Sequence, residues 1–112
     1  MESDSATVID PEYREMLLEF EPARLVGLIE KFEGQCDQAR EGLAGRMDTD
    51  EFAGLLHKLV GSSGSLGLMD LARLVVTFET AVREGSDLPV DSTSRFEAET
   101  ARATTALIEL RG

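Results

Sequence analysis

The chain has 112 residues, 42% of them hydrophobic and 29% charged, with 22 acidic side chains against 11 basic ones and a formal net charge of −11. That length holds one core rather than two, and the composition is that of a folded domain, not a disordered chain. So acidic a surface excludes nucleic acid, whose phosphates require clustered lysine and arginine, and disfavours an anionic membrane face for the same reason.

Residues 1–8 begin with the polar run "MESDSAT" and read as a flexible N-terminal segment, with residues 9–112 forming a single domain. Asp10 followed by Pro11 is a helix start, a capping side chain and then a ring suited to the first helical position. Tyr13, Met16, Leu17 and Phe20 fall on one face of the short helix this opens. Pro22 marks a second start, after which Leu25, Leu28, Ile29, Phe32, Cys36, Ala39 and Leu43 recur at three- and four-residue steps. Cys36, the single cysteine, lies within that apolar stripe and reads as a small buried residue. With one histidine and one cysteine the chain offers no metal-ligand cluster.

"AGRMD" interrupts the pattern, and Asp48 with Glu51 three residues on resembles a capping box. Phe52, Leu55, Leu56, Leu59, Ser63 and Leu66 then share a face, and Gly67 is a stop or bend. Leu71, Leu74, Val75, Phe78 and Val82 form the next stripe, ending at Gly85. "SDLP" is a loop, and Phe96, Thr100, Ala103, Leu107 and Leu110 line the last helix. The expected fold is all-α, an antiparallel up-down four-helix bundle with a short additional N-terminal helix. No apolar run reaches membrane-spanning length and no basic-then-apolar leader opens the chain, so the expected compartment is the cytoplasm.

The segment "LLHKLVGSSGSLG", Leu55 to Gly67, holds the only histidine and three of the ten glycines. At about 100° per residue, with Phe52 at zero, the apolar residues lie within about 60° of it and His57 falls near 140°. Gly54, Gly61 and Gly64 fall near 200°, 180° and 120° on that count. The histidine therefore faces outward with a glycine one turn before it, one turn after and two turns after. An interior glycine costs roughly 0.5–1 kcal/mol relative to alanine, and a solvated face ordinarily carries Glu, Lys or Gln. The bare patch implies that something large must approach the imidazole.

Three chemistries use such a segment. A phosphate-cradling P-loop needs Lys then Ser or Thr after its last glycine and a strand before its first, and here Leu68 and Met69 follow Gly67. A nucleophilic Ser62, Ser63 or Ser65 needs a strained turn and an orienting acid, which a helical position does not supply. The third is His57 itself as nucleophile, with much of an exposed imidazole neutral at pH 7.

These residues resemble the histidine phosphotransfer (HPt) domain family, in which glycines stand four and ten residues after the phospho-accepting histidine. His57, Gly61 and Gly67 match those offsets, "SSGSLG" is similar to the family's small-residue run, and Leu71, Glu79 and Gly85 fall in familiar places on the next helix. One departure stands out: the family's lysine, three residues after the histidine, is Val60 here, while Lys58 adjoins His57. The resemblance implies a phosphorelay carrier rather than an enzyme, taking a phosphoryl group from a receiver-domain aspartate onto His57 at Nε2 and passing it to another. It places Lys58, Gly54, Gly61, Gly64 and Arg83 at the phosphoryl or receiver contact. It leaves Mg²⁺ to the receiver, with no cofactor in this chain. Receiver domains of response regulators or hybrid histidine kinases are the implied partners, and the chain reads as a monomeric, free-standing bacterial shuttle. Val60 keeps a rival in view: a helical adaptor or inhibitor that binds a histidine kinase or receiver through the same face without being phosphorylated. Lys58 has a second reading too, as an ordinary solvated residue.

Overall fold

The first three helices begin where a cap or a proline deals with the unpaired N–H groups of the first turn. The computed structural model describes residues 8–111, and all its regular elements are helices: α1 Pro11–Leu18, α2 Pro22–Leu43, α3 Thr49–Ser65, α4 Met69–Arg83 and α5 Ser92–Arg111. The Asp10 side chain accepts from the Glu12 N–H, and Pro11 and Pro22 open α1 and α2. Asp48 accepts from both Asp50 and Glu51 N–H groups at the start of α3, which is the expected cap. Three helices end alike, with glycine in the left-handed region at Gly45, Gly67 and Gly85. After α3, the Gly67 N–H donates to the Gly64 carbonyl and the Leu68 N–H to the Ser63 carbonyl, so a Schellman turn satisfies carbonyls that the helix leaves open.

The long helices form a closed ring. α2 packs on α3, α3 on α4, α4 on α5, and α5 returns to α2; the short connections make successive helices antiparallel. The expected stripes form the core: Leu25, Ile29, Phe32, Cys36 and Ala39 of α2, Phe52, Leu55, Leu56, Leu59 and Ser63 of α3, Leu71, Leu74, Val75 and Phe78 of α4, and Phe96, Thr100, Ala103, Leu107 and Leu110 of α5 are buried, while Leu28, Leu43 and Val82 of the same stripes pack against it only partly buried. Burial pushes the Cys36 thiol up to about 12, which leaves it protonated and inert at neutral pH. Arg40 ties α2 to α5, its Nε 2.8 Å from Glu97 Oε2.

The expected flexible segment lies outside the described residues except for Val8, which packs partly buried against the core. α1 departs from the expected stripe. Leu17 is buried and Tyr13 and Phe20 are partly so, but Met16 is 43% exposed. Instead Ile9, ahead of the helix, is fully buried, and the Asp10 N–H donates to the Gly67 carbonyl at 2.9 Å. The leading segment thus sits on the α3–α4 turn and fixes it. Among the described residues no helix is long and apolar enough to cross a membrane.

Candidate functional site

α3 and α4 form a helical hairpin pivoting on Gly67. Antiparallel helices joined by so tight a turn bring residues equidistant from it to the same level. His57 precedes Gly67 by ten residues and Glu79 follows it by twelve, and the two side chains meet: His57 Nδ1 lies 3.2 Å from Glu79 Oε2. The same oxygen accepts from Arg83 Nε at 2.8 Å, one turn further along α4. Exposure divides the three groups by task. The His57 side chain is 74% exposed while that of Glu79 is only 14% exposed, so the carboxylate is a held, half-sunk anchor and the imidazole stands above it.

Nδ1 is the ring nitrogen that faces the carboxylate, and a neutral imidazole so placed favours the tautomer with its hydrogen on Nδ1 and the Nε2 lone pair free. Nε2 is the nitrogen turned away from the Glu79 contact, on a ring that is mostly in solvent.

The helical face around His57 is open. A methyl group added at Gly54, Gly61 or Gly64 would meet nothing within 4 Å, so no neighbour within the bundle requires glycine at those positions. Gly61 is exposed, and Gly54 and Gly64 are half-exposed. Gly67 is different: its φ is +72° and a Cβ there would come within 2.5 Å of Tyr13 Cβ, so both backbone and packing demand it.

The candidate residues fall on two flanks of this bare face. His57, Val60 and Gly64 lie on the α4 side, where Glu79 and Arg83 are. Lys58 is exposed and lies on the other side, lining the grooves shared with α2. Val60, at the position of the family lysine, is partly buried against the core. On the His57 flank the neighbouring cation is therefore Arg83, reached through Glu79, and not Lys58. The pairing of Arg83 with Glu79 was legible as a helical i, i+4 contact. The contact of Glu79 with His57 was not, since it depends on how two helices meet.

The rival chemistries lose their geometry. The chain is helical through Ser65, so "GSSGSLG" makes no phosphate-cradling loop. Ser63 is fully buried in the core, and Ser62 and Ser65 line the groove toward α2 on the other flank from His57 and Glu79. Among the described residues no group of three or more His, Cys, Asp or Glu side chains is placed to hold a metal ion.

Comparison with known families and proteins gives one result: a family model for the Hpt domain matches residues 12–110. No curated protein and no solved structure matches the chain.

Proposed function

The chain belongs to the Hpt domain family, and on that premise we propose that it relays phosphoryl groups between receiver-domain aspartates through His57. The observation that carries this reading is the sharing of Glu79 Oε2 by His57 Nδ1 and Arg83 Nε beneath an exposed ring. The Nε2 lone pair attacks the phosphorus of a receiver's aspartyl phosphate, the N–P bond forms, and the P–O bond breaks to return the aspartate as a carboxylate. Nδ1 keeps its proton, so the phosphorylated ring is cationic, and the Glu79 carboxylate lies where that charge develops. Arg83 holds Glu79 in place and keeps its remaining guanidinium N–H groups for phosphoryl oxygens. The return step is the reverse, with a second receiver's aspartate attacking phosphorus and the ring leaving neutral.

On this reading the protein acts as a carrier and not as an autonomous enzyme. In-line positioning and charge stabilisation supply the acceleration, the receiver brings Mg²⁺, and the compartment is the cytoplasm. Gly54, Gly61 and Gly64 let the receiver's surface close on the ring, and Lys58 meets it from the α2 flank. Incubation with a radiolabelled phospho-receiver tests the proposal. Wild type should acquire acid-labile, base-stable phosphate, and His57→Gln should acquire none while remaining helical. A wild-type protein that binds the phospho-receiver and never takes label would establish the adaptor reading instead.

A further inference from the structure

The chain has only two lysines, Lys31 and Lys58. They lie on different helices, 27 residues apart in sequence, yet both line one groove between α2 and α3, of about 540 Å³. Between and beside them are Gln35, Gly61, Ser62 and Ser65. No aspartate or glutamate lines this groove. On a chain with twice as many acids as bases, that is a local reversal of sign. Of the other grooves, the one between α1, α2 and α5 has Arg111 as the lone charge on an apolar lining, while Asp70 and Glu99 balance Arg73 and Arg95 between α4 and α5, and Glu33 and Asp37 outnumber Arg40 between α2 and α5. Among the described residues no carboxylate is within ion-pair distance of either lysine.

Lys58 also lines a second, separate groove toward Met47, and Asp50 and Glu51 line that one. The Lys31 groove is thus cationic and hydroxyl-bearing, and its neighbour beyond Lys58 is acidic. The Lys31 groove opens beside Gly61, which stands one turn from His57 on the same helix and presents no side chain to block a body lying across both.

We infer that the α2–α3 groove is a specificity-determining docking site for a carboxylate-bearing segment of the same receiver that reaches His57, with Lys31 and Lys58 as its anchors. The occupant's acidic residues lie toward Lys31, Ser62 and Ser65, and repulsion from Asp50 and Glu51 sets its polarity. Opposite charges here select a partner and speed encounter, while like charges in the neighbouring groove reject the reversed pose. The two flanks of α3 thus divide the work: the α4 side performs the transfer and the α2 side chooses who delivers it. The inference rests on the phosphotransfer reading, so its test separates the two.

The probe is a receiver domain charged with radiolabelled acetyl phosphate and Mg²⁺, chosen as the one in a panel that labels wild type fastest. Lys31→Glu, alone and with Lys58→Glu, should raise the KM for that receiver about tenfold or more and flatten its salt dependence. The maximal transfer rate should stay within about twofold for Lys31→Glu, since Lys31 is remote from the reacting atoms. Lys31→Arg should keep the wild-type KM. Arg95→Glu, the same charge change in the α4–α5 groove, should leave KM unmoved. If Arg95→Glu raises KM as much as Lys31→Glu does, the effect is general charge and the groove is not a site. An unchanged KM in Lys31→Glu, with wild type fully labelled, overturns the groove alone. No label on wild type from any receiver overturns the underlying reading with it.

Discussion

Two sets of glycines sit around α3, and they are glycines for opposite reasons. A Cβ on Gly42 would overlap the ring of Phe52, and one on Gly67 would crowd Tyr13 in a backbone with φ +72°. At Gly54, Gly61 and Gly64 the same atom would enter open space. The first set is required by the chain's own packing, where α2 approaches α3 and where α1 lies on the α3–α4 turn. The second set weakens α3 by roughly 0.5–1 kcal/mol per position and relieves no contact within the bundle. Its reason lies outside the chain, on the face where His57 stands. Glycine content alone therefore says little; what each missing Cβ would touch separates a packing device from a cleared landing area.

Substitution sharpens this contrast. The largest effect should come from Gly61→Leu, which should leave far-UV circular dichroism nearly unchanged and slow phosphoryl transfer from a receiver by about a hundredfold or more, as misplacement at a reacting centre does. Unchanged transfer in that variant would mean that the open face has no part in docking. Next in size, Gly42→Ala should destabilise the fold by about 1–3 kcal/mol in denaturant unfolding, because Phe52 must move from a packed site. Transfer per folded molecule should be preserved in that variant. The smallest effect should be Gly61→Ala, which should raise stability by about 0.5–1 kcal/mol while transfer declines modestly. If Gly42→Ala and Gly61→Ala shifted stability in the same direction, the distinction between the two sets would fail.

Much of this architecture is written in local patterns. Pro11, Pro22 and Asp48 announce helix starts, Gly67 and Gly85 announce ends, and the three- and four-residue steps of the stripes give the core faces. The outward position of His57 follows from those same steps, since it lies far round the helix from Phe52 and Leu59. What stayed hidden depends on how elements meet. Gly42 looked like any helical glycine until Phe52 of the next helix was placed against it. Met16 shared the expected apolar face, yet the bundle buries its neighbour Leu17 and leaves Met16 exposed. Lys31 gave no sign of its groove, since its neighbours there come mostly from α3. The Glu79 contact lies between the two cases. Its residue stood in a familiar place, and counting outward from the Gly67 turn puts it opposite His57, but only the packed hairpin brings Oε2 to Nδ1.

That contact makes the most direct test, and the single histidine makes it clean. After transfer from a phosphorylated receiver, histidine-labelled protein examined by ¹H–¹⁵N correlation NMR should show phosphate coupled to Nε2, with Nδ1 still carrying its proton toward Glu79. Phosphate coupled to Nδ1, or an unmodified ring in protein that demonstrably binds the phospho-receiver, would contradict the account.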